Sequence, residues 1–238
     1  MSEQKNIIPL GRQDFDRDLG KLEAELILMS GLVEQAIFNA LNALKYRDVE
    51  KSQKVIDEDD NIDQTELEIE RTCIELIRRE APMAGDLRRI VASLHIAGEL
   101  ERIGDYAEGI AKISITMGAQ PPIKELIDIP RMGDMAVRML KRSLEAFISR
   151  DADLVRNLSV ELEKEDDEVD DLYAKVQTDL LELVKADPEN AEPATYLMRV
   201  AHNVERVADR AMNIVERALY LATGELVSGS TQTEPIAE

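Results

Sequence analysis

The chain has 238 residues, 49 acidic and 29 basic, giving a formal charge of −20. That surplus repels nucleic-acid backbones, anionic lipid and free phosphate, so no nucleic-acid partner is expected. Aromatic residues make up 3% and tryptophan is absent, while Leu, Ile, Ala, Glu and Arg abound, the composition of long packed helices with little material for a β-rich fold.

In chain order, residues 1–13 read as an N-terminal extension without the basic and apolar stretches of a signal peptide, and nowhere do 18 apolar residues run together. A soluble, cytoplasmic protein is expected, reaching membranes only through partners. A first helix is expected over Asp14–Tyr46, where Leu22, Leu26, Met29, Val33, Ala36, Ala40 and Leu44 recur at alternating three- and four-residue steps. Asp48 reads as the N-cap of a second helix to about Arg79, and Pro82 lies in the turn that follows. The single cysteine, Cys73, falls on the apolar side of that helix and reads as a small buried residue. A third helix runs from near Ala84 to Met117, where Gly118-Ala119-Gln120-Pro121-Pro122 stops it.

That break divides a first three-helix bundle (14–118) from a linker (119–129). Pro130 then sits in the first turn of a fourth helix ending near Ser149, and Asp151 opens a fifth that reaches about Ala186, where Asp187-Pro188-Glu189-Asn190 interrupts. A sixth helix spans about Glu192–Thr223 and completes a second bundle (130–223). Residues 224–238, rich in Ser, Thr, Gly and Pro, are expected to be a disordered tail. The fold class expected is all-α, two antiparallel three-helix bundles in tandem.

The bundles read as copies. Glu101-Arg102-Ile103-Gly104-Asp105 returns 104 residues later as Glu205-Arg206-Val207-Ala208-Asp209, and Asp59-Asp60-Asn61-Ile62-Asp63 returns at an offset of 107 as Asp166-Asp167-Glu168-Val169-Asp170. Arg47-Asp48 pairs likewise with Arg150-Asp151. Such a repeat implies a pseudo-twofold arrangement of two small helical domains. In each phrase two carboxylates four residues apart stack on one helix face, half of a cation site.

At about 100° per residue, Val55, Ile62, Ile69, Cys73, Ile74 and Ile77 fall within about 80° of Asp59, and Asp166 falls among Leu162, Val169, Tyr173, Leu180 and Val184. Carboxylates on an apolar side need a partner from outside their helix. On the third and sixth helices the core stripes are Ile96, Leu100, Ile103, Ala107, Ile110 and Val200, Val204, Val207, Ala211, Ile214, with Glu101, Asp105, Glu205 and Asp209 at the rim. If the second and third helices of each bundle are antiparallel neighbours, four carboxylates converge on one cation cluster per bundle. Ordinary salt bridges with Arg102, Arg206 and other basic residues are the plainer alternative, and the matched duplication favours the cation site. His202 shares a side with Glu205 and Asp209 and is a candidate ligand of the second site alone, since Gly98 stands at its place in the first; His95 faces elsewhere.

With these residues the chain resembles the PhoU family of phosphate-signalling proteins over about residues 14–222, through the two Glu-Arg-x-x-Asp phrases, the acidic pairs of the second and fifth helices, and Pro82 with Asp86-Leu87-Arg88. The family pattern has His after the motif Asp, where this chain has Tyr106 and Arg210. The resemblance implies a non-catalytic, cytoplasmic negative regulator that connects the ATPase subunit of the phosphate ABC transporter to a sensor histidine kinase, with a homodimer among its assemblies. It also implies multinuclear iron or zinc clusters on Asp59, Asp63, Glu101 and Asp105, and on Asp166, Asp170, Glu205 and Asp209, without an organic cofactor.

Two rivals stand beside it. A carboxylate-bridged di-metal protein for iron storage or oxidation would use inward acids on a bundle, yet its usual Glu-x-x-His motifs are absent. An adaptor that binds no metal would fold and bind partners unchanged when its acidic pairs are neutralised. No Ser/His/Asp set, P-loop or dinucleotide fingerprint supports enzymatic chemistry.

Overall fold

A computed structural model describes residues 10–118 and 120–224. The helices are α1 (Leu10–Tyr46), α2 (Val49–Glu80), α3 (Ala84–Met117), α4 (Asp128–Ser149), α5 (Ala152–Ala186) and α6 (Ala191–Thr223), with a 3-10 turn at Pro188–Asn190. No strand occurs among the described residues. The all-α tandem of two three-helix bundles is therefore observed, and most helix ends fall within two residues of expectation.

The turns that open α2 and α5 show the repeat in conformation as well as sequence. Arg47 and Arg150 are left-handed, with φ of 55° and 54°. The Asp48 carboxylate accepts from the Lys51 N–H at 2.9 Å, and Asp151 accepts from the N–H groups of Asp153 and Leu154 at 3.0 Å each. Both acids satisfy backbone donors that the first helical turn leaves free.

Two expectations need correction. First, α1 begins at Leu10, not Asp14, because Arg12 bridges to Asp16 at 3.0 Å and to Asp86 of α3, and lies over the buried ring of Phe15, fastening the first turn to the bundle. Second, Ile74 and Ile77 do not join the buried side of α2: they are 55% and 37% exposed, and Leu76 is buried instead. The stripe of α2 is Val55, Ile62, Ile69, Cys73 and Leu76, whose seven-residue spacing carries the buried face past Ile74. Cys73 is buried as expected. The tail proposed at 224–238 and the first nine residues lie, apart from Gly224, outside the described residues.

The stripes of α3 and α6 are buried throughout. They also carry the join between bundles, since α3 packs on α6 while α1 meets α4. Gly133 allows that second approach: a Cβ there would stand 2.2 Å from Leu41 Cδ1. One apolar core consequently runs through both bundles. The acidic faces of α2/α3 and α5/α6 lie at its margins.

Candidate metal centre

In the first bundle, Asp59 on α2 and Asp105 and Glu108 on α3 place one carboxylate oxygen each within 4.8 Å of one another. Asp59 comes close because position 104 has no side chain; a Cβ there would lie 3.2 Å from Asp59 Oδ1. Burial, then the charges of Glu108, Asp63 and Asp105, push the Asp59 carboxyl up to about 7. The carboxyls of Glu101 and Asp105 are raised too, by burial first and then by acidic neighbours, Asp105 and Asp63 for Glu101 and Asp63 and Glu108 for Asp105. Lys112 donates to Glu108 at 2.5 Å and partly offsets the repulsion on Asp59 and Asp105, and Arg102 does the same for Glu101. Five carboxylates beside these two cations leave a negative potential.

The second bundle repeats the electrostatics with different contacts. Burial followed by Asp209, Asp170 and Glu205 pushes Asp166 up to about 7, and Asp170 and Glu205 are raised as well, chiefly by burial. Yet Asp209 accepts from Arg206, and among the described residues no three of Asp166, Asp170, Glu205, Asp209 and His202 bring ligand atoms within 4.8 Å of one another. His202 is exposed, with Nδ1 3.3 Å from Glu205 Oε2 and its ring 6.1 Å from that of Tyr173. That approach lacks hydrogen-bond geometry, and the buried Glu205 Oε2 has no hydrogen-bond partner. The copies thus differ in convergence: three carboxylates meet in the first, whereas in the second an arginine holds one of them.

The chain carries a PhoU domain twice, at residues 26–114 and 129–218, once over each bundle and its acidic face. The chain belongs to the PhoU family. A phosphate-specific transport system accessory protein PhoU homolog of Aquifex aeolicus is 40% identical over 211 residues, covering 89% of this chain and 94% of the relative. The Rhizobium meliloti homolog of the same name is 35% identical, with 90% of each chain covered. The crystal structure of the phosphate transport system regulatory protein PhoU from Streptococcus pneumoniae superposes with a TM-score of 0.81 at 31% identity, over 90% of this chain and 99% of that one. PhoU from Pseudomonas aeruginosa gives the same TM-score at 30% identity.

Within this PhoU chain, sequence reasoning missed Glu108. The signal was available, since Glu108 lies three residues after Asp105 and shares its face. Its place in the second copy is Met212, which removes the third carboxylate there. The residues after the two motif acids serve the join between bundles: Arg210 donates to Glu99 at 3.2 Å, and Tyr106 lies beside Arg206 and raises its pKa. The first site offers oxygen donors only, which fits a hard cation of the iron, manganese or magnesium type better than zinc, whose protein sites favour nitrogen and sulfur.

Proposed function

We propose that this PhoU-family chain is a non-enzymatic, cytoplasmic negative regulator of phosphate uptake and of the phosphate-starvation response. It links the phosphate transporter, through the ATPase subunit, to a sensor histidine kinase, with a homodimer among its assemblies. The transport role is supported by relatives named as accessory proteins of the phosphate-specific transport system, matched over nearly their whole length. Long helices with exposed faces supply docking surfaces.

The convergence of Asp59, Asp105 and Glu108 carries the metal reading. Asp59 and Asp105, whose proton affinity is raised by burial and then by acidic neighbours, gain most from a multivalent cation, which replaces the protons. Asp63 and Glu101 extend the first site. Asp166, Asp170, Glu205, Asp209 and His202 form the second, where a cation must displace Arg206 from Asp209. Iron or zinc is the proposed occupant, with iron the better match to the donors.

The test is elemental mass spectrometry on tag-free protein from metal-replete cells, beside a variant with Asp59, Asp63 and Asp105 changed to Asn and Glu101 to Gln. Metal above one ion per chain that falls in the variant supports cluster sites. A metal-free wild type sinks the metal reading and leaves the adaptor role, which pull-downs with the ATPase subunit and the kinase examine separately. Oxygen-dependent turnover of ferrous iron by the same preparation would instead favour the di-metal oxidase.

A further inference from the structure

The duplication provides an internal comparison for each surface, and one pair of turns is mismatched. Arg47 and Arg150 hold equivalent places, each left-handed and each beside the last turn of its bundle's third helix. Arg150 is neutralised: its Nη2 donates to both oxygens of Glu23 at 2.9 Å, and Arg89 grips the same carboxylate at 2.5 Å. Glu23 belongs to a part of α1 that the second bundle lacks, since α1 runs 37 residues and α4 only 22. With the two helices aligned at the turns that follow them, α4 starts too late to present an equivalent acid.

Arg47 therefore faces an open cavity of about 140 Å³ formed with Met117, Gln120, Ile123 and Tyr196. Among the described residues its Nη1 has the Met117 sulfur as partner, at 3.4 Å, and its buried Nε has no hydrogen-bond partner. No carboxylate among the described residues lies within ion-pair distance of it. Glu192 lines the same cavity, but it is exposed and accepts from the Tyr196 hydroxyl at 3.0 Å. Burial, with no opposing acid, lowers the pKa of Arg47. A guanidinium held in this way carries hydrogen-bond donors that favour a planar or tetrahedral oxyanion.

We propose that this cavity binds a small oxyanion, a carboxylate or a phosphate, on the Arg47 guanidinium, in the role that Glu23 fills for Arg150. The volume lies well below the roughly 300–1,000 Å³ of pockets for drug-sized ligands, so a nucleotide is too large. The charge of −20 weakens binding without forbidding it, because charges beyond about 8 Å are screened at physiological ionic strength. Glu192 is the local opponent, and neutralising it strengthens the site. The inference is independent of the metal reading, which concerns another face.

The test follows the Nε–Hε cross peak of Arg47 in the full chain during titration with inorganic phosphate and, separately, acetate, against chloride at matched ionic strength. Loss of the peak in Arg47→Met assigns it, and Arg47→Lys, which keeps the charge, serves should the first variant not fold. The expected result is a saturable shift in the millimolar range that tightens several-fold in Glu192→Gln. Saturation with phosphate alone identifies a tetrahedral ligand, and saturation with both identifies oxyanions in general. A shift equal to that of chloride, or one that rises without saturating, overturns the proposal.

Discussion

Gly104 lies directly against Asp59: a methyl group at position 104 would stand 3.2 Å from Asp59 Oδ1 and 3.1 Å from two carbons of Ile62. The second copy has Ala208 and Val169 at these places, a larger residue on one helix facing a smaller one on the other. Gly104→Ala gains about 1 kcal/mol of helix propensity and meets an overpacking cost of about 1–3 kcal/mol. Adding Ile62→Val removes the Cδ1 part of that crowding and leaves the contacts with Cγ2 and Asp59. Urea unfolding of the double-mutant cycle is expected to show the pair coupled by about 1 kcal/mol in the favourable direction, and additive effects would contradict the packing argument.

Much of this geometry was legible because long helices announce themselves. The three-four spacing of Leu22 to Leu44 and the Asp48 and Asp151 caps locate α1, α2 and α5, and the repeat puts an acidic pair on the second and third helices of each bundle, which meet if those helices are antiparallel neighbours. Other features depended on contacts between helices. The exposure of Ile74 follows from the heptad-like stripe of α2 on its neighbours, and the grip of Arg206 on Asp209 depends on side-chain conformation. The helical start at Leu10 rests on Asp86, 74 residues from Arg12. Periodicity reports which face of a helix is buried, but not what meets it.

The contrast between Glu108 and Met212 makes the two acidic faces unequal. Glu108→Gln removes one of three converging oxygens and is expected to lower cation affinity at the first site at least tenfold, on the scale of losses when ligand surroundings are altered. Met212→Glu supplies the missing carboxylate and is expected to raise occupancy of the second. Titration with ferrous or manganous ion, followed by calorimetry, would show both effects; equal behaviour of wild type and Glu108→Gln would remove Glu108 from the site.

Chelator-treated protein is expected to lose stability as pH rises from about 4 to 7. Asp59 and Asp166 titrate near 7 when folded, against an ordinary value of 3.8, so the folded state binds more protons in that window and each unit of pH favours unfolding. Below about 4 the trend reverses, because hydrogen bonds from Arg79 and Lys21 hold Asp18 down to about 2 and that stabilisation is lost on protonation. Urea midpoints in chelator should therefore be lower at pH 8 than at pH 5, and the difference should shrink in Asp59→Asn/Asp166→Asn. An added divalent cation competes with these protons, so its stabilising effect should grow over the same range.

The join between bundles offers a last test. Glu99 on α3 accepts from Arg210 Nη1 at 3.2 Å and from Asn213 Nδ2 at 3.0 Å on α6, and the Glu99 and Arg210 side chains are only 15% and 14% exposed. In the mirrored position Asn203 crowds Gly109, where a Cβ would come to 2.9 Å from its Nδ2, so the charged contact is made on one side only. Arg210→Met leaves Glu99 with Asn213 and the exposed Arg102, and is expected to cost about 1–3 kcal/mol in urea unfolding. Glu99→Gln/Arg210→Met, which removes both charges, is expected to recover part of that loss. A double variant no better than the single would mean that the arginine stabilises the join by packing its stem, not by its charge.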